Sequence, residues 1–74
     1  MAKTTLSPTA RQMLWRGIRM GAQGFYTGWR NEQAVCERER RRGRLAFKGG
    51  RRSRGCFQFF VVTPTGRAAY SAAG

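Results

Sequence analysis

The chain contains no histidine and only three acidic residues, Glu32, Glu37 and Glu39, in 74 positions. The first absence removes the commonest general base, and the second leaves no obvious acid/base pair, so neither an enzyme nor a cofactor is expected. Cysteine is nearly as scarce. Cys36 and Cys56 are too few for a disulfide framework, and without histidine they cannot complete a zinc site inside one subunit. Two reduced, partly buried thiols and no metal are expected; a disulfide, or a metal shared with a second subunit, is the alternative. No apolar run approaches the roughly 20 residues of a membrane span, and Met1-Ala2-Lys3-Thr4-Thr5 lacks the apolar core of a signal peptide. A cytoplasmic protein with no membrane association is therefore expected.

What the sequence has in excess is positive charge. Fifteen Lys and Arg give a formal net charge of +12 and a pI near 11.8. A chain so far from neutrality repels itself when compact, and an anionic partner is the usual compensation. Hydrophobic residues at 41% and aromatics at 12% are too many for a disordered basic arm. Length allows one domain, since a chain of this size buries only about 60% of its unfolded surface. We expect a disordered N-terminus over 1–5, a single α+β domain over 6–70, and frayed residues at 71–74.

Along the chain, Ser7 is placed to cap a helix that has Pro8 at its first position, and Ala10, Met13, Leu14, Gly17, Ile18 and Gly21 recur at helical spacing. Met20 falls beside Met13 and widens that stripe, while Trp15 sits at its margin. Phe25-Tyr26-Thr27, among glycines, reads as a short strand. Phe25 and Trp29 are expected to fill the core, which otherwise has two methionines and short side chains. Asn31 is placed to cap a second helix, with Glu32 in its first turn and Arg38, Arg40, Arg41 and Arg42 in its last turns, where the dipole favours cations. Gly43 is a natural stop. Glu39 stands one turn after Val35, where a leucine is expected, so this helix should pack only shallowly.

Two strands follow, Leu45–Lys48 and Cys56–Val62, around a glycine-bracketed turn that carries Arg51, Arg52 and Arg54. Alternation assigns Phe57, Phe59 and Val61 to the face that meets the first helix, and leaves Phe60 partly exposed on the other. Leu14 and Phe59 are accordingly the expected core positions. Thr63-Pro64-Thr65-Gly66-Arg67 repeats the opening capping chemistry and should start a short helix reaching about Tyr70.

Between Arg38 and Arg54 there are nine Lys and Arg against one acid, Glu39. Guanidinium groups match phosphate oxygens with forked donors, and each neutralised phosphate releases counterions. Nucleic acid is therefore the expected partner, with a solvated patch or a site for an acidic protein as the alternatives.

The order helix, short strand, arginine-rich helix, glycine, strand, basic turn, strand and Thr-Pro-x-Gly-Arg resembles a winged-helix domain of the small bacterial and phage regulator type. The resemblance covers about residues 6–70. It rests on Arg41-Arg42-Gly43-Arg44-Leu45 as the end of a recognition helix, Phe47 to Val61 as a hairpin wing, and Val62-Thr63-Pro64-Thr65-Gly66-Arg67 as the exit from the wing. It implies a DNA-binding regulatory or accessory protein of a phage or other mobile element, a monomer or homodimer that prefers duplex DNA. In such a protein Gln33, Arg38, Arg41 and Arg42 lie at the major groove or its rim, Arg51, Arg52 and Arg54 reach phosphate or the minor groove, Lys48 supports the wing, and Arg44 is a further nucleic-acid contact. The family has a further helix before the recognition helix and a leucine at the position of Glu39. Backbone binding is accordingly expected over sequence reading. Two other uses of the same residues are open. One is an inhibitor that sets the basic face on an acidic protein of a host's nucleic-acid machinery. The other is a binder of single strands or RNA that stacks bases on Trp15, Tyr26 and Trp29.

Overall fold

The computed structural model describes residues 5–51 and 56–73, and these form three helices and one three-stranded antiparallel sheet. Helix α1 runs Pro8–Met20. The Ser7 hydroxyl accepts from the Ala10 amide at 3.2 Å, and Gly21 ends the helix at a φ of +62°. Its buried stripe is Ala10, Met13, Leu14 and Gly17, as the spacing predicts, but Met20 is exposed. A 3-10 turn at Gly21–Gln23 leads to β1, Phe25–Thr27.

Helix α2 spans Arg30–Arg41. It begins one residue before Asn31, with Trp29 in the cap position and no side-chain cap, so Asn31 is not the cap. At its far end the Gly43 amide bonds the Arg40 carbonyl at 3.0 Å and the Arg44 amide bonds the Glu39 carbonyl at 2.9 Å. Gly43 makes this possible by taking a φ of +78°. Strands β2 (Leu45–Gly50) and β3 (Gln58–Val62) form the hairpin, and helix α3 (Pro64–Ala73) closes the chain. Thr63 caps α3 by accepting from the Gly66 amide at 3.0 Å, and its hydroxyl donates to the Gly43 carbonyl. The helix continues three residues past Tyr70, so Ser71–Ala73 is helical rather than frayed. It is held there because Arg11 donates to the Ala73 carbonyl at 3.2 Å, and its guanidinium lies 5.9 Å from the centre of the Tyr70 ring.

The sheet order is β1-β3-β2. Leu45 lies opposite Val62 and Phe47 opposite Phe60, and directly opposed residues of an antiparallel pair point to one face. The face that meets the helices therefore carries Phe60, which is 1% exposed and packs in one cluster with Met13, Leu14, Phe25, Cys36 and Leu45. This inverts the expected assignment: Phe57 is 66% exposed and Phe59 40%. The cause is register. Phe25 of β1 also lies opposite Phe60, so the two neighbouring strands turn the same β3 residue inward. Phe25, Phe47 and Phe60 then fill the space between sheet and helices, with ring centres 6.2 and 5.7 Å apart. Trp29, expected in that space, is 71% exposed.

The pairing of β2 with β3 shifts between Phe47 and Gly49, so Lys48 drops out of the ladder. Its ammonium donates to the Ala22 and Gln23 carbonyls at 2.8 and 2.7 Å, tying the hairpin to the 3-10 turn. Both cysteines are free thiols; Cys36 is buried and Cys56 partly so. Burial, reinforced by Glu32, pushes the Cys36 thiol up to about 12. Because that acid stays protonated longer when folded than the ordinary value of 9.0 allows, its contribution to stability is complete below pH 9 and is lost as the pH rises toward 12. Native protein treated with a thiol-alkylating reagent at pH 8 is expected to react at Cys56 while Cys36 reacts only on unfolding. Peptide mapping checks this, and equal labelling of both thiols would contradict the burial of Cys36.

Candidate nucleic-acid interface

The basic surface is organised by the three glutamates. Glu32, in the first turn of α2, accepts from the Thr27 hydroxyl at 2.8 Å and from Arg16 of α1 at 3.3 Å. Glu37 holds Arg40 in a two-pronged contact, with the Arg40 Nε at 2.9 Å, and lies 3.7 Å from Arg41. Glu39 is 1% exposed, and its two oxygens accept from Arg44 at 2.9 Å and Arg42 at 3.2 Å. The position where a leucine was expected thus holds a buried carboxylate satisfied by two cations. The helix is not packed shallowly: it buries Gln33 and Glu39 through polar contacts and Cys36 in the apolar cluster.

Gln33 does not face a groove. It is 2% exposed, and its amide donates to the Thr27 carbonyl at 3.0 Å and the Cys56 carbonyl at 2.6 Å, fastening the start of α2 to the end of β1 and the approach to β3. A long amide with two donors suits this place because both strand ends offer backbone carbonyls there. Arg44 likewise turns in to Glu39, with 18% of its side chain exposed, and is an internal partner.

The remaining expected positions are presented to solvent. Arg38 is exposed and touches no carboxylate among the described residues; Arg41 and Arg42 are exposed with 76% and 52% of their side chains accessible. Together they form a ridge along the last turns of α2. Arg51 is exposed where β2 leaves the sheet, and its amide bonds the Phe57 carbonyl at 3.1 Å. Lys48 is exposed beside the 3-10 turn that it braces. Arg52 and Arg54 lie outside the described residues. Trp15, Tyr26 and Trp29 are all exposed, Trp15 with the Arg19 guanidinium 5.0 Å from its ring centre.

Sequence reasoning missed Phe57 and Phe59 as surface residues. They line the outer face of the sheet with Tyr26, whose ring centre is 5.7 Å from that of Phe57 and 6.0 Å from that of Phe59. The alternation of β3 misleads here, since the face that carries the polar Gln58 is the buried one. It also missed Arg30, an exposed cation beside Trp29. Among the described residues no three His, Cys, Asp or Glu side chains gather to hold a metal ion, and no helix is long and apolar enough to cross a membrane. Comparison with protein-family models, curated proteins and solved structures finds no match to this chain.

Proposed function

We propose that this protein binds nucleic acid, holding duplex phosphates against Arg38, Arg41 and Arg42 on α2 and the arginines of the β2–β3 turn. The observation that carries the reading is the fate of the negative charge. All three glutamates are engaged by arginines inside the domain, so the exposed cations Arg19, Arg30, Arg38, Arg51 and Arg67 meet no carboxylate among the described residues. A surface of one sign costs self-repulsion in the free protein, and a polyanion relieves it.

The order of elements, with a basic helix followed by a hairpin, supports the winged-helix resemblance, although a 3-10 turn and β1 occupy the place of that family's additional helix. With Gln33 and Arg44 engaged internally, the contacts left to α2 are guanidinium groups suited to phosphate. Modest preference among DNA sequences follows.

The test is binding of unrelated duplexes across a salt series, for the parent and for Arg38→Ala and Arg41→Ala singly and together. The parent is expected to lose affinity steeply with salt, and each substitution to lower the slope by about one unit, uniformly across sequences. No duplex binding at low salt would defeat the proposal and turn attention to an acidic protein as the partner.

A further inference from the structure

Among the described residues, no helix buries Tyr26, Phe57 or Phe59 on the outer face of the sheet, and all three are exposed. Core contacts run from α1, α2 and the inner residues of the strands, and what the other side shows is a strip of aromatic rings, Phe57, Tyr26 and Phe59. The strip leads at the β1 edge into a cleft of about 390 Å³ whose walls include Tyr26, Trp29, Phe59 and Arg16. Five of the nine aromatic residues in the chain, Trp15, Tyr26, Trp29, Phe57 and Phe59, are exposed. In a domain this small, whose core is short of large side chains, such an allocation marks a contact surface.

We propose that this strip and cleft form a stacking site for unpaired bases, so that the protein takes single-stranded nucleic acid on a face separate from the α2 ridge. The inference rests on the nucleic-acid reading above for the chemistry of its partner. Three observations select that occupant. The strip is bracketed by cations: Arg51 bonds the Phe57 carbonyl through its amide, and Arg30 follows Trp29. The only acid that lines the cleft, Glu32, is already bonded to Arg16 and Thr27, so the cleft presents little free negative charge to repel phosphate. A second copy of the chain, by contrast, would bring another +12 against the same cations. Flat rings among guanidinium groups suit bases on a phosphate chain, since every base offers a π-face whatever its sequence.

The experiment compares binding of a short oligodeoxynucleotide, its RNA counterpart and the corresponding duplex to the parent, to Trp29→Ala, to the triple variant Tyr26→Ala, Phe57→Ala, Trp29→Ala, and to the aromatic-for-aromatic set Tyr26→Phe, Phe57→Tyr, Trp29→Phe. Single strands are expected to quench tryptophan fluorescence in the parent. Trp29→Ala should weaken single-strand binding by roughly fivefold or more and the triple variant by at least tenfold, the aromatic set should retain it, and duplex affinity should stay within about twofold throughout. Single-strand affinity unchanged in the triple variant overturns the stacking site, yet leaves the α2 reading standing if duplex binding keeps its salt slope. Should Trp29→Ala and the triple variant instead abolish self-association in sedimentation or binding to anionic lipid vesicles while no nucleic acid binds, both readings fail together. Trp29 is so exposed that its single replacement keeps the test valid even if the triple variant unfolds.

Discussion

Phe60→Ala is expected to remove about 3–5 kcal/mol of folding stability, whereas Phe57→Ala removes less than about 1 kcal/mol. Phe60 sits where the two sheet pairings meet, opposite both Phe25 and Phe47, and packs in one cluster with Met13 and Leu14 of α1. Truncation there leaves a cavity lined by rigid neighbours with little freedom to collapse. Phe57 projects from the opposite face and touches mainly Tyr26. For a domain of this length total stability is on the order of 4–11 kcal/mol, so the first variant stands close to unfolding at room temperature. Urea denaturation of the two variants and of Phe59→Ala measures the difference. A larger loss for Phe57 or Phe59 than for Phe60 would show that the strand is turned the other way.

Glu39→Gln should cost about 3 kcal/mol, the low end of what breaking a buried ion pair costs, because Arg42 and to a lesser degree Arg44 can turn their guanidinium groups toward water. The carboxylate accepts from both arginines across the end of α2, so its loss uncouples the helix terminus from the start of β2. Replacing Glu39 by Leu and Arg44 by Met together is expected to recover most of that loss, since an apolar pair of similar volume avoids desolvating either charge. The Glu39 variant also carries one negative charge fewer, +13 in place of +12, and releases Arg42 and Arg44 to solvent. If the α2 ridge meets phosphate, its duplex binding should be tighter at low salt and steeper in salt by one to two units, even as its thermal midpoint falls. Stability and binding then move in opposite directions. A fall in both would mean that Glu39 supports the interface rather than restraining it.

Much of the fold was legible in the residues that interrupt helices and strands. Ser7-Pro8, Gly43 and Thr63-Pro64 mark helix ends through local capping chemistry, which needs no knowledge of the rest of the chain. The short β1 strand and the arginine-rich α2 followed from equally local signals. What failed depends on partners distant in sequence. Gln33 has the composition of a base-reading side chain, but its acceptors are the Thr27 carbonyl and the carbonyl of Cys56, 23 residues away. Glu39 reads as an interruption of a packing face because one of its cations, Arg44, lies beyond the glycine that ends the helix. In Gln58-Phe59-Phe60-Val61-Val62 alternation puts the polar Gln58 on the same side as Phe60, which reads as the outer face although both are buried; the choice is made by the pairing of Phe60 with Phe25 of β1 on one flank and with Phe47 of β2 on the other. The exposed aromatic strip was hidden by the same alternation. Arginine density, by contrast, located the α2 ridge directly, and only the sorting of its members into internal partners and exposed cations required coordinates.

Arg11, in the first helix, holds the last helical carbonyl, that of Ala73, across 62 residues. Until the last turn of α3 has formed, Arg11 has no carbonyl there to hold. The entropy of closing so long a segment grows only slowly with its length, so bringing these two ends together costs little more than a shorter closure would. The described domain is in this sense fastened where α1 meets the end of α3. Its two outermost helices meet there, so Arg11→Ala would release the last turn of α3 from α1 while the Thr63 cap at its other end stays in place.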